Sequence, residues 1–286
     1  MPARLLIIGA SGLVGTELAR RGRALAEILG TARNVRGEAT VALDYTRPDD
    51  VQTAINRFNP THLAIGAAWP HVDGCEQDPA RSERENVQTI RTVAELAPPD
   101  CRILFFSTDH VFDGKKPFYV ESDAVNPLSV YAKHKRVAEE VLLARGRSLI
   151  ARTAWVFGPE ERRKNFVYRV VDASSSKKPL MVPVRQAGCP TYAGWLADSA
   201  LSLLFDGTDG IVHLAGPDCL TKAEWARTIA EALELPDVIV EERSWAESGQ
   251  VAPRPERVAL RSERHRLTQG PAAKILRAHR STLLAV

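Results

Sequence analysis

The sequence predicts an α/β fold in which a doubly wound parallel sheet is joined to a smaller C-terminal lobe. Two observations predict it. Short apolar runs alternate with longer amphipathic stretches through the first two-thirds of the 286 residues, as in a parallel sheet covered by helices on both faces. The first apolar run also leads straight into a turn carrying Gly9, Gly12 and Gly15, which opens the first helical pattern.

Taken in order, Leu5–Ile8, Ile28–Ala32, His62–Ile65, Ile103–Phe106 and Ser148–Arg152 read as buried strands, each short and bounded by Gly, Pro or polar residues. Helical patterns fill the gaps at Leu13–Ala26, Asp49–Arg57, Pro79–Leu96 and Val130–Arg145. Pro48 and Pro79 suit helix starts, and Pro98-Pro99 ends one. Beyond Trp155 the rhythm loosens. Ser174–Pro179 reads as a loop, Leu180–Val184 and Ile211–Ala215 as short strands, and Lys222–Leu233 as a helix capped by Thr221 and Glu224. The predicted division is a dinucleotide-binding domain over 1–153, completed by about 187–214, with 154–186 and 215–286 forming a substrate-binding lobe.

Composition narrows the function. With 38 Lys+Arg against 35 Asp+Glu the net charge is only +3. The stretch 254–286 alone holds eight basic and two acidic residues, a net of +6. That tail lacks interleaved aromatics, which argues against nucleic-acid binding; Arg257 to Arg280 are expected on solvated helix faces. No apolar run approaches the roughly 20 residues of a membrane span, and the first run is too short for a signal peptide. Cys75, Cys101, Cys189 and Cys219 are far apart, with no metal-ligand spacing, so reduced thiols in a cytoplasmic protein are expected and no metal site is.

The glycine turn carries the cofactor reading. Gly9-Ala-Ser11-Gly12-Leu13-Val14-Gly15 stands between a strand and a helix, where glycines permit a tight turn and close approach of a pyrophosphate to the helix N-terminus. An NAD site places an acid about 20 residues on, at the end of the second strand. This chain has Arg33 there, and no acid before Glu38. A cation suits the 2′-phosphate of NADPH; NADH is the alternative.

Tyr131 and Lys135 stand four apart, on one face of a helix. Reduction of a ketone needs hydride at carbon and a proton at oxygen. A tyrosine with its ordinary pKa near 10 is a poor relay at neutral pH, and Lys135 is expected to lower it. Thr108, at a strand's C-terminal end, is expected to hold the carbonyl.

With these pieces in place, the chain resembles the dTDP-4-dehydrorhamnose reductase family of extended short-chain dehydrogenases. The most specific match is Phe105-Phe-Ser-Thr-Asp-His-Val-Phe-Asp-Gly114, close to the family's STDYVFDG, followed by Glu121, Asp123, Asn126-Pro-Leu-Ser-Val-Tyr131 and Lys135. Weaker matches include Ala67-Ala68, Val72-Asp73, Glu76, Asn86, Arg152–Trp155, Asn165-Phe166, Gln186 to Thr191 and Arg254-Pro255. The resemblance implies a Rossmann domain and reduction of the 4-keto group of dTDP-4-dehydro-L-rhamnose by NAD(P)H. It implies Thr108, Tyr131 and Lys135 as catalytic. Asp44, Ala67 and Ala68 join Gly9 and Gly12 at the cofactor, while Val72, Trp155 and Asn165 line the sugar nucleotide, with Arg254 a partner for its diphosphate.

Four departures bear on which sugar is taken: His110 for the family's Tyr, Trp69-Pro70 for Tyr-Thr, Arg185 for Asp, and Glu256–Leu260 after the Arg-Pro. His110 is a further candidate substrate contact. Glu17 stands where some relatives use a magnesium ion at a dimer contact, but one carboxylate is not a metal site; a homodimer is compatible with the sequence. Two other functions fit the same residues: a cofactor-binding regulatory subunit similar to the methionine adenosyltransferase β subunit, and epimerisation or dehydration of a sugar nucleotide.

Overall fold

Leu5, Leu6, Ile7 and Ile8 are all buried, as only a strand covered on both faces allows. The computed structural model describes residues 2–285 except Trp245, Ala246 and Ser248. The chain opens with β1 (Arg4–Ile8), α1 (Leu13–Gly22), β2 (Glu27–Ala32), β3 (Val41–Ala42), α2 (Pro48–Phe58) and β4 (His62–Ile65). Next come α3 (Val72–Gln77), α4 (Pro79–Glu83), a π turn over Arg84–Gln88, α5 (Thr89–Leu96) and β5 (Arg102–Thr108). A 3-10 turn at Asp109–Val111 precedes α6 (Val130–Arg145) and β6 (Ser148–Thr153). Beyond these lie β7 (Val156–Phe157), α7 (Phe166–Ser176), β8 (Leu180–Pro183), β9 (Ala187–Gly188), β10 (Thr191–Tyr192) and α8 (Ala193–Phe205). The remainder is β11 (Gly210–His213), β12 (Leu220–Thr221), α9 (Lys222–Ala232), β13 (Val240–Arg243), α10 (Ala272–Ala278) and α11 (Arg280–Leu284).

Seven strands form one parallel sheet in the order β11-β6-β5-β4-β1-β2-β3. The winding direction reverses between β1 and β4, whose registers align Ile8 with Ile65. Their carboxyl ends therefore border the crevice where open α/β sheets bind ligands. One face is covered by α1 and α8, through Leu18, Ala19, Leu196 and Leu201. The other is covered by α2, α5 and α6, through Val51, Ile55, Val93, Ala138 and Leu142. A separate core holds Tyr168, Val171, Trp225, Ile229 and Leu276 beside the carboxyl ends of the strands.

Several local expectations are corrected. The first helix stops at Gly22, not Ala26, because the chain must turn there to enter β2 alongside β1. The single helix expected over Pro79–Leu96 contains the π turn, which swings Glu85 and Asn86 inward. Ser174, Ser175 and Ser176 end α7 where a loop was expected. Their hydroxyls are satisfied: Ser175 and Ser176 donate to Val171 and Ala173, and Ser174 to Pro236. The tail is not one helical face either. Arg257 and Arg261 lie in chain bridged to Ala187 and Tyr119, Arg264 in a bend, and only Lys274, Arg277 and Arg280 lie on helices. All four cysteines are free. Among the described residues no helix is long and apolar enough to cross a membrane.

Candidate active site

The glycine turn leaves β1 with Gly9 at φ 96°, and a Cβ there would sit 2.6 Å from the amide nitrogen of Ala67. A Cβ on Gly15 would run into the carbonyl of Gly9. These two glycines are required by backbone packing. Gly12 differs: as N-cap of α1 it has only the Gly9 carbonyl near its missing Cβ, at 3.5 Å. Its open side faces a cleft of about 400 Å³ lined by Ser11, Leu13, Thr16 and Arg162. A dinucleotide's pyrophosphate fits this cradle, where the helix N-terminus and a cation favour negative charge. Val14 instead turns into the core against the sheet.

Arg33 stands just past β2, half exposed, with Nη2 3.5 Å from Asp44 and its guanidinium 5.5 Å from the Tyr45 ring centre. Glu38, the first acid after it, is engaged by Arg20 and Arg23. Asp44 accepts from the Thr46 amide and hydroxyl at 3.1 and 2.7 Å. Burial would raise its pKa, but these hydrogen bonds and Arg33 bring it below the usual carboxylate value. Across the switch point, Ala67 and Ala68 follow β4. The next residue, Trp69, is pinned at both backbone groups by the Asn86 side chain, at 2.9 and 3.1 Å. The inward swing of the π turn thus positions this loop.

Thr108 ends β5, and its hydroxyl donates to Asp109 at 3.1 Å while accepting the His110 amide at 3.2 Å. It lies within hydrogen-bonding reach of Tyr131. Ser129 caps α6, and Glu76 accepts the Val130 amide at 2.9 Å, so the helix end that presents Tyr131 is held from α3. Lys135, one turn on, is buried with Nζ donating to the Phe106 carbonyl at 2.6 Å and lying 3.8 Å from the Phe105 ring centre.

The electrostatics correct one expectation. Lys135 does not lower the Tyr131 pKa. Burial raises it, with Asp109 and Cys75 adding to the effect and Thr108 opposing it, because the ammonium is turned to the Phe106 carbonyl. Burial also draws Lys135 down to about 7, against the pull of Glu139. The phenol therefore holds its proton throughout the neutral range.

Around this trio lie the remaining candidates. The His110 ring meets Tyr131 edge-on at 6.3 Å, and its buried Nδ1 has no partner among the described residues. Val72 begins α3. Trp155 leaves β6 at φ 42° and packs so closely on Gly188 that a Cβ there would lie 2.7 Å from the indole. Asn165 caps α7, and its Nδ2 donates to Gly158 and Glu160, both at 2.9 Å. Arg254 lines a separate open cleft with Gln186 and Pro253 and is bound to Asp73.

Sequence reasoning missed Lys222. It begins α9, where a cation faces the positive end of the helix dipole, and that misfit was the available signal. Its Nζ lies 3.4 Å from the Trp155 ring centre and 4.6 Å from that of Phe166.

The family model described as RmlD substrate binding domain matches residues 3–285. The chain belongs to this family. Curated relatives include a dTDP-4-dehydrorhamnose reductase of Aggregatibacter actinomycetemcomitans, 35% identical over 79% of this chain and 78% of its own. Another is a probable dTDP-4,6-dihydroxy-2-methyloxan-3-one 4-ketoreductase of Streptomyces antibioticus, 32% identical over 98% of this chain and 93% of its own. Among solved structures, a dTDP-4-dehydrorhamnose reductase of Clostridium acetobutylicum superposes with a TM-score of 0.81, at 29% identity and 90% coverage of both chains. Membership makes this chain an NAD(P)-dependent oxidoreductase, the class expected from the glycine turn and the Tyr131–Lys135 pair.

Proposed function

We propose that this protein uses NADPH to reduce the 4-keto group of a nucleotide-linked 6-deoxy sugar, converting dTDP-4-dehydro-L-rhamnose to dTDP-L-rhamnose. The carrying observation is the convergence of Thr108, Tyr131 and Lys135 at the carboxyl end of β5, one strand from the switch point. Gly9, Ser11, Gly12, Leu13 and Val14 hold the pyrophosphate end of the cofactor, Arg33 its 2′-phosphate, and Asp44, Ala67 and Ala68 its flanks. Bound there, NADPH supplies the hydride. Thr108 holds the substrate carbonyl, and Tyr131 gives its phenolic proton to the oxygen as that oxygen gains charge. Lys135 fixes the cofactor ribose.

Residues 1–153 and 187–214 serve the cofactor in this reading. Residues 154–186 and 215–286 grip the sugar nucleotide, with Val72, His110, Trp155, Asn165 and Arg254 at its surface. The reduced cysteines suit a cytoplasmic enzyme. The test is NADPH oxidation with dTDP-4-dehydro-L-rhamnose, with the product identified by NMR. Turnover that Tyr131→Phe leaves near wild type would overturn the mechanism, and a product formed without net NADPH consumption would overturn the reaction.

A further inference from the structure

Lys222 and Arg169 converge on one aromatic ring. The Lys222 ammonium lies 4.6 Å and the Arg169 guanidinium 5.4 Å from the Phe166 ring centre, and Lys222 also covers Trp155. Burial and the Arg169 charge draw the Lys222 pKa down, and Asp109 opposes them. Neither cation makes a hydrogen bond or ion pair among the described residues. Two like charges held together without a counter-ion are unfavourable, and an anion drawn from outside the chain relieves the repulsion.

Three other cations of the region are already committed. Arg254 binds Asp73 with both terminal nitrogens and donates to the Ala252 carbonyl. Lys135 is held by Phe106. Arg163 pairs with Asp172 at 3.0 Å. The uncompensated positive charge beside Trp155, on the side of the cleft that also holds His110 and Asp109, is therefore that of Lys222 and Arg169. The aromatic floor formed by Trp155 and Phe166 keeps both side chains extended over apolar surface.

We propose that Lys222 and Arg169 form the binding site for the diphosphate of the nucleotide-sugar substrate, with Trp155 and Phe166 as its floor. This rests on the sugar-nucleotide reading above and displaces Arg254 from the role that its sequence position implied. A diphosphate bridges the two cations, and Arg254 acts instead through the turn of α3 it holds at Asp73.

The test is calorimetric binding of TDP, of UDP, of thymidine and of NADPH to the full-length protein. Lys222→Met, which keeps the apolar stem over Trp155, is expected to weaken TDP binding about 10- to 100-fold, the loss expected for a charge-assisted hydrogen bond. Thymidine and NADPH affinities are expected to stay within about two-fold. Lys222→Arg is expected to restore most of the loss, and adding Arg169→Gln to Lys222→Met to deepen it. Wild-type binding of TDP that Lys222→Met leaves unchanged, or equal losses for TDP, thymidine and NADPH, would overturn the site while leaving the reductase reading intact. Wild-type protein that binds neither TDP nor UDP would overturn both.

Discussion

Arg254 grips Asp73 with both terminal nitrogens, Nη1 to Oδ1 at 2.9 Å and Nη2 to Oδ2 at 2.7 Å. The same carboxylate accepts the backbone amides of Val251 and Ala252, both at 2.9 Å. Four donors thus bind a late segment of chain to the first turn of α3. Arg254, acting first, and the two amides hold the Asp73 pKa at about 2 despite partial burial. Because the folded value lies below the unfolded one, the stabilisation is complete above about pH 4 and is lost between pH 4 and 2. It amounts to about 2 kcal/mol. Asp73→Asn should lower the urea midpoint at pH 7, and the gap to wild type should narrow to about half as the pH is taken to 3. A gap independent of pH would contradict this account.

The two lysines drawn down to about 7, Lys135 and Lys222, are expected to set the pH dependence of turnover. Both are charged below that value and neutral above it, while Tyr131 keeps its proton throughout. Asp109, Glu139, Arg169, Arg254 and His110 are the charged or titratable groups around them. Log kcat/KM should therefore be flat on the acid side and fall above about pH 7 with a limiting slope near −2, as two required protons are lost. Lys222→Met should leave a shallower fall, near −1. A wild-type profile that rises through pH 7 would refute the assignment.

Gly12 and Gly15 separate the needs of the fold from those of the cofactor. A Cβ on Gly15 meets backbone, so Gly15→Ala should be destabilised by several kcal/mol, about the cost of forcing a helix off its strand. A Cβ on Gly12 has room in the chain itself. Gly12→Ala should melt within about 2 °C of wild type yet bind NADPH at least ~10-fold more weakly, as measured by fluorescence titration.

In the proposed reading Arg33 selects NADPH over NADH. Glu38 is occupied by Arg20 and Arg23, so no acid near the end of β2 other than Asp44 is placed to take a ribose hydroxyl. Arg33→Ala should lower kcat/KM for NADPH by about 10- to 100-fold, the loss of a charge-assisted phosphate contact, and leave that for NADH unchanged. Equal effects on both would assign Arg33 to the strand end alone.

The five strands and the glycine turn were legible because periodicity and punctuation are local. Helix α8 was not. Eight of its residues are buried, so it shows little polar face to mark a period, and it is packed against both α1 and the sheet. The serines ending α7 read as loop because hydroxyls favour turns, yet here they bond back to helix carbonyls or to Pro236. Thr108, Tyr131 and Lys135 could be found from spacing within two adjacent segments. Lys222 could not, because its aromatic partners lie 56 and 67 positions earlier in the chain and only the fold brings them together. The expected Lys135–Tyr131 coupling failed for a related reason: the Phe106 carbonyl that claims the ammonium is invisible to a helix-face argument.

The clamp on Asp73 also has a temporal side. The glycine turn, Thr108, Tyr131 and Lys135 all lie within the first half of the chain, but Asp73 meets Arg254 across a separation of 181 residues. A chain still emerging from the ribosome can complete strands β1 to β6 and order its proton donor long before that turn is fastened. The nascent protein would pass through a stage able to hold a dinucleotide but not yet to close on a sugar. Loss of the last few dozen residues would return the finished protein to that stage without unfolding its sheet.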